Sequence, residues 1–586
     1  MVTTDLNTIT SPEAIRKMSI DELKHLAAEM RKALICKVSA HGGHVGPNLG
    51  MVEAVIALHY VFDTPKDKIV FDVSHQTYPH KMLTGRMNAF TDATHYDDVT
   101  GYTNPRESEY DLFSLGHTSS AISLASGLAK ARDMKGGKEN VVAVIGDGSL
   151  GGGVAFEGLD FGATLGTNFI VVVNDNNMSI AENHGGIYAD LRMLRNTNGE
   201  GEPNLFRSFG YAYRYVHAGN DINALIEMFK SVKDTDRPVV VHINTFKGLG
   251  LKVAEDNQEK FHWSMPFDPE TGELLASDSG EDYTDIFATE MLEQMKSNPQ
   301  VAVITAGTPG AIGFSKDRRL HAGKQFVDVG IAEQQAVDLA AGMAAGGVRP
   351  VFGVVSTFLQ RAYDQFSQDA ALNRQPAVFN VVYGSMFGMN DETHLGFFDL
   401  GLLSNIPGLL VLTPTSKEEY LSMLRWAIRQ TKTPVVVRQP GGRVVSNPDA
   451  ALLDDYSRAE YEIVRKGGKV ALIGVGTFLP VMNEAADLLE KQGVSSTVIN
   501  PRNVSVLDTA TLDSLKDFDM VITAEDGIID GGYGQKIASY LGEAPVKVVN
   551  LGLPKKFLNR FDAKEVQRAC SLTAEQIAAR AVKTNY

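Results

Sequence analysis

Cysteine is nearly absent: among 586 residues only Cys36 and Cys570 carry thiols. Two cysteines so far apart exclude a disulfide framework and suit a reducing compartment, so a cytoplasmic protein is expected. No run approaches the roughly 18 apolar residues that a bilayer span requires. The opening MVTTDLNTIT has no basic segment followed by an apolar stretch, so no export signal is expected either. Positive charge is in deficit, with 55 Lys and Arg against 71 Asp and Glu for a formal net charge of −16. That balance argues against nucleic acid or an anionic membrane as the main partner, although local basic pockets for phosphates remain allowed. Small-molecule chemistry is the class that survives.

What is present suits an ordinary globular protein, and the chain is too long for one core. From about residue 11 to 265 the apolar runs KIVFDV, VVAVIGDG, FIVVVNDN and PVVVHINTF alternate with helical stretches such as SAISLASGLAKARDM, the pattern of a doubly wound parallel α/β sheet. A polar, glycine-rich tract from Arg195 to Asn204 reads as a mobile loop, and the stretch from Glu270 to Asp282 as a linker. The runs VAVITA, QFVDVG, PVFGVV, AVFNVVYG, LLVLTP and PVVVRQP predict a second α/β domain. After the polar link SNPDAALLDDYSR, the runs KVALIGVG, SSTVINP, DMVITAED and VKVVNLG predict a third, smaller one. The expected domains are residues 1–268, 282–445 and 456–586.

The chemistry concentrates at strand ends. VVAVI stops at Gly146-Asp147-Gly148, and FIVVV stops at Asn174-Asp175-Asn176-Asn177-Met178. A glycine-flanked Asp alone marks no more than a tight turn. With Asn176 standing 29 residues after Asp147 and an apolar strand before each, the pair predicts a magnesium site that keeps a diphosphate as co-ligand. Asp147 and Asn176 would ligate through side chains and Met178 through its carbonyl.

Glu333, in DVGIAEQQ, follows a strand run and opens a helical one. As an isolated residue it would be a helix-capping acid. Beside a diphosphate anchor it suits the carboxyl that holds N1′ of an aminopyrimidine and promotes deprotonation of the thiazolium ring of thiamine diphosphate. Phe358, in STFLQR, is placed either to stack on that pyrimidine or to fill core. Five histidines, His44, His75, His80, His117 and His394, lie in glycine-rich or strand-end contexts. Their spacing fits no zinc pattern, and together they favour a site where imidazoles donate to diphosphate or exchange protons with a carbonyl oxygen.

These residues resemble the 1-deoxy-D-xylulose-5-phosphate synthase family of the transketolase superfamily over nearly the whole length. The resemblance rests on HVGPNLG, on ALHYVFDTPKDKIVFDVSHQTYPHKMLTGR, on the GDG and NDNNMSI pair, and on VDVGIAEQQAV, STFLQRAYDQ and AEDGIIDGGYGQ. It implies a homodimer that binds thiamine diphosphate and magnesium, decarboxylates pyruvate and joins the two-carbon unit to glyceraldehyde 3-phosphate. Glu333, His44 and His394 would be catalytic. His75, His117, Gly146, Gly148, Ser149, Asn176, Met178, Phe358 and Lys247 would touch the cofactor, and Asp147, Asn176 and Met178 the metal.

Departures from the family pattern bear on the acceptor. Where the family has Asp-Arg-Ala-Gly, this chain has Val382-Tyr383-Gly384-Ser385, and where it has Tyr-Pro-Arg-Gly, this chain has Gln439-Pro440-Gly441-Gly442. Val355, Gln335 and Gly388-Met389-Asn390-Asp391 also differ, and the loop near Arg195 is shorter. Losing two guanidinium contacts to a phosphate removes several kcal/mol of binding, at roughly 1.5–3 kcal/mol each, unless replaced. Arg361, Arg438 and Arg443 are the candidate replacements. The expectation is a retained donor half-reaction with an altered acceptor, a different phosphosugar or an unphosphorylated aldehyde. Two alternatives stay open: a transketolase that moves a two-carbon ketol unit between sugars, and a catalytically silent cofactor-binding homologue.

Overall fold

The computed structural model describes residues 6–276 and 280–582. It divides into two compact units, residues 1–278 with 330–332, and residues 279–329 with 333–586. The centre of the expected linker, residues 277–279, lies outside the described residues.

The first unit is built on a five-stranded parallel sheet. Its strands are β2 (Lys68–Phe71), β3 (Val141–Gly146), β4 (Phe169–Asp175), β5 (Ala212–Val216) and β6 (Pro238–Asn244), in the order β2-β3-β4-β6-β5. Strands β3 and β4 are buried almost end to end, which is why they read as unbroken apolar runs. Two short strands, β1 (Gly43–His44) and β7 (Trp263–Ser264), pair antiparallel outside this sheet. Neither they nor β5 was signalled by the sequence. The β5 segment AYRYV at the sheet edge buries only Tyr213 and Val216 and exposes Arg214, so it carries no continuous apolar run.

The tract from Arg195 to Asn204 is a loop over residues 197–203 that meets a helix at each end. Arg195 lies inside the helix Ile187–Asn196. Asn204 caps the helix Leu205–Phe209 by accepting from Phe206 N and Arg207 N. Backbone bonds from Thr197, Gly199 and Glu200 fix the turn between them.

The second unit holds two sheets. The first has strands β8 (Val301–Thr305), β9 (Phe326–Asp328), β10 (Arg349–Val355), β11 (Val378–Val382), β12 (Leu410–Leu412) and β13 (Val435–Arg438), all parallel in the order β12-β13-β11-β10-β8-β9. The second has β14 (Glu462–Arg465), β15 (Val470–Gly474), β16 (Ser496–Asn500), β17 (Met520–Ile528) and β18 (Lys547–Leu553), in the order β14-β16-β15-β17-β18. Strand β14 is an antiparallel edge with a bulge, and its half-exposed residues gave no periodic signal. One core runs through both sheets, joining Phe352, Leu400 and Val436 to Ile473, Val521 and Tyr533. No helix among the described residues is long and apolar enough to cross a membrane.

Arg438, a candidate phosphate ligand on sequence grounds, is instead the polar link between these two sheets. Its Nε donates to Asp399 Oδ2 at 2.7 Å and its Nη1 to Asp526 Oδ1 at 2.6 Å, all three side chains being buried. A guanidinium held by two buried carboxylates is not available to a ligand. Replacing it in Arg438→Met strands both carboxylates without a counter-charge. We expect chemical denaturation to show a loss of about 3–5 kcal/mol for this unit.

Candidate active site

In the first unit, parallel register places the two polar tips side by side, with Gly146 of β3 opposite Asn174 of β4. Asp147 starts the short helix Asp147–Leu150 and is almost wholly buried. Asn183 Nδ2 donates to its Oδ2 at 2.7 Å. Burial, then the neighbouring Asp175, push the Asp147 carboxyl up to about 8 against the pull of Asn183 and Lys247. Ser179 packs against Gly148 so closely that a Cβ there would meet Ser179 Cβ at 2.9 Å. Lys247 Nζ donates to Ser179 O at 2.6 Å, and burial lowers this ammonium to about 8. Ser179 Oγ and Asn183 Oδ1 are buried without a hydrogen-bond partner. Asn176 is half-buried, its Oδ1 accepting from Met178 N at 3.2 Å. The contacts of Asn183 with Asp147 and of Ser179 with Gly148 and Lys247 thus tie the end of β3, with Gly146, to the segment after β4 that carries Asn176 and Met178. Ser149 adjoins Gly148: its carbonyl accepts from Ser119 Oγ at 2.8 Å, bringing in the loop that carries His117.

A histidine cluster lies beside Lys247. His44 and His75 have ring centroids 5.0 Å apart, and His262 is 5.8 Å from His44 and 5.1 Å from His75. Asn48 fixes the first two by donating to the carbonyls of both His44 and His75 at 2.8 Å while accepting from Tyr78 N. Burial first, then Lys247, His75 and His44, hold His262 well below its ordinary value, so it is neutral. Tyr102 closes the group at 5.6 Å from His44. Sequence reasoning missed His262 because a lone histidine in QEKFHWS carries no motif. The β1–β7 pairing, which sets His44 opposite Trp263, brings it in.

His80 does not join this cluster. It sits in the helix Tyr78–Lys81, with its Nδ1 2.8 Å from His59 Nε2 and its Nε2 donating to Asp111 at 2.8 Å. Arg86 also binds Asp111, so this is a buried structural network. A strand-end position in sequence does not tell whether a ring turns toward a cleft or into the core.

In the second unit, Glu333 is the first residue of the helix Glu333–Ala345 and is 2% exposed. Its Oε2 is buried without a hydrogen-bond partner, with Arg361 Nη1 at 3.5 Å. Burial raises the carboxyl and Arg361 opposes the rise. Phe358 packs edge-on to His394, with centroids 5.5 Å apart at 80°. Ser356 Oγ donates to Gly396 O at 2.6 Å, tying the two segments. Burial lowers His394 to about 4, leaving it neutral, while Thr393 Oγ1 lies 2.8 Å from its Nδ1. Tyr383 and Gly441 stand where arginines were looked for. Tyr383 packs against the core, and a Cβ on Gly441 would collide with the side chain of Ser385.

The chain matches the family described as 1-deoxy-D-xylulose-5-phosphate synthase over residues 6–202. It matches the transketolase pyrimidine-binding domain over 280–444 and the transketolase C-terminal domain over 459–577. A 1-deoxy-D-xylulose-5-phosphate synthase from Symbiobacterium thermophilum is 38% identical, the match covering 98% of this chain and 94% of that one. Those of Geobacter sulfurreducens and Carboxydothermus hydrogenoformans are also 38% identical, covering 99% and 98% of this chain and 97% and 98% of theirs. A solved transketolase from Pichia stipitis superposes with a TM-score of 0.45 at 17% identity, covering 97% of this chain and 98% of its own. The matched domains and the parallel α/β sheets define a thiamine diphosphate-dependent transferase of the transketolase type. The chain belongs to the 1-deoxy-D-xylulose-5-phosphate synthase family.

His394 gives a stability test. Its folded value of about 4 lies below the ordinary 6.5, so the unfolded chain binds the extra proton first as pH falls. The stability that neutral His394 contributes is complete above pH 6.5 and is lost between 6.5 and 4. Thermal melts of His394→Asn should show a shallower acid decline across that window than the parent protein.

Proposed function

We propose that this protein binds thiamine diphosphate with Mg2+, decarboxylates pyruvate and joins the resulting two-carbon unit to an aldose acceptor. Glyceraldehyde 3-phosphate is the acceptor implied by the relatives' name. The single observation that carries the reading is the buried Glu333 Oε2, which lacks a hydrogen-bond partner at the start of a helix and has its carboxyl raised by burial. A buried carboxyl whose proton affinity is raised suits proton exchange with a ring nitrogen.

The residues present fit the cofactor. Asp147, Asn176 and the Met178 carbonyl offer one carboxylate, one amide and one carbonyl, a hard oxygen set of the kind that suits Mg2+ with a diphosphate co-ligand. The partnerless Ser179 Oγ and Asn183 Oδ1 beside Asp147 offer further polar contacts. When bound, thiamine diphosphate supplies the carbon nucleophile and the electron sink for decarboxylation.

The chain's own groups do the rest in this reading. Lys247 holds the Ser179 carbonyl and with it the floor next to Gly146, Gly148 and Ser149. His117 and His75 orient the diphosphate side, and Phe358 packs the pyrimidine side. His44 and His394 are catalytic, and His262 joins them. His394 and His262, held neutral by burial, accept or return a proton at the substrate carbonyl oxygen together with His44. We read the active enzyme as a cytoplasmic homodimer with domains at 1–268, 282–445 and 456–586.

A second reading, an altered acceptor, is favoured by the fate of Arg438 and Gly441. The first is consumed by Asp399 and Asp526, and the second has its side-chain space filled by Ser385. Arg443, which is exposed, is left as a candidate phosphate contact alongside Arg361.

Glu333→Ala should lower pyruvate turnover by about 10²–10⁴-fold while Mg2+-dependent cofactor binding persists in calorimetry. Turnover near the parent level in that variant contradicts the proposal. Supplying pyruvate with phosphorylated and unphosphorylated aldehydes, and following carbon dioxide and product mass, separates the acceptors. Ketol transfer without carbon dioxide release would favour transketolase, and cofactor binding without any turnover a silent homologue.

A further inference from the structure

Among the groups the proposed mechanism does not use, the pair Asp175 and Arg195 is the one that reaches the metal-binding tip. We infer that Arg195 is a positioning residue for that tip, setting Asn176 and the Met178 carbonyl without touching the ion. The inference rests on the proposed Mg2+ and thiamine diphosphate site.

Arg195 projects from the helix Ile187–Asn196 and grips the residues on either side of Asn176. Its Nη1 donates to both oxygens of Asp175, at 2.7 and 2.5 Å, and its Nη2 to Asn177 Oδ1 at 2.8 Å. A planar guanidinium spans two such acceptors with a rigid fork of donors, a geometry that the compact ammonium of lysine does not fix. Asn177 needs the help, because its φ of 62° lies in the left-handed region. Among the described residues Asn176 itself is tied only locally, by its Oδ1 to Met178 N. The direction in which it points is therefore set by its neighbours.

The same contacts explain why Asn176, not Asp175, is offered to a cation. Asp175 Oδ2 also accepts from His242 Nε2 at 2.9 Å, and Oδ1 from Asn177 N at 3.0 Å. His242 is backed in turn by Tyr213 OH, 2.8 Å from its Nδ1. Both oxygens of Asp175 are thus occupied, and its charge is matched by Arg195. A second unmatched carboxylate at the tip would repel the diphosphate, so cancelling it favours a metal site that must also accept an anion.

A plain structural role is the competing account, in which Arg195 only balances a buried carboxylate. The two separate by measurement. Calorimetric binding of thiamine diphosphate to the full-length apoprotein is followed as a function of Mg2+, beside thermal melting of the same protein without either ligand. Arg195→Met and Arg195→Lys are compared, and Asn177→Gly removes one arm of the clamp while leaving the ion pair and tolerating positive φ. Loss of an outer-sphere partner typically costs about 10–100-fold in metal affinity.

We expect Arg195→Met to raise the Mg2+ half-saturation by about tenfold or more. Arg195→Lys should keep most of the melting temperature but still need several-fold more Mg2+, and Asn177→Gly should do likewise. Variants that lower melting while keeping the parent's Mg2+ dependence overturn the inference, as does Asn177→Gly alone if Arg195→Met fails to fold and the glycine variant binds like the parent. A parent protein with no Mg2+-dependent binding of thiamine diphosphate overturns the proposed function itself and this inference with it.

Discussion

Keeping a carboxyl group out of water costs several kcal/mol unless the charge is matched or removed, and three buried carboxyls, two in the first unit and one in the second, meet that constraint differently. Asp175 is matched, by Arg195 and His242. Glu333 is pushed up by its burial, with the nearby Arg361 opposing the rise. Asp147 has the Asn183 amide on one oxygen and the Gly148 backbone beside it, and burial with Asp175 close by pushes its carboxyl up to about 8, a rise that a bound cation would reverse in the proposed function. The three outcomes differ because the three surroundings differ. In the proposed function Asp175 is scaffold, Glu333 the acid that faces the coenzyme and Asp147 a metal ligand.

The fold positions these groups by a simple device. Parallel strands buried on both faces must end somewhere, and where β3 and β4 end their polar residues emerge together on one edge of the sheet. Helix starts follow at once at Asp147 and, in the second unit, at Glu333. The histidine cluster uses a different device, with Asn48 spending its hydrogen-bonding capacity on two carbonyls and one amide to hold His44 and His75 together.

Much of this was legible in the sequence because it is local. Apolar runs that stop at GDG and NDN announce both the strands and their tips, and all six strands of the second unit's first sheet were visible as runs. What escaped depends on residues far apart. The partners of Arg438 lie 39 and 88 residues away, so its role could not be read from the motif around it. Arg195 looked like the start of a loop because its value lies in Asp175, 20 residues earlier. His262 was silent for the same reason, and His80 was misplaced because a histidine's spacing says nothing of which way the ring turns. Strands β5 and β14 were missed because edge strands need no continuous apolar run.

The proposed chemistry requires that the coenzyme's diphosphate be held with a cation at the strand tips of the first unit. Crystals soaked with thiamine diphosphate and Mg2+ test this directly. Density is expected for a metal-bound diphosphate at Asp147 and Asn176. Coenzyme density away from both residues, or none at all, would contradict it.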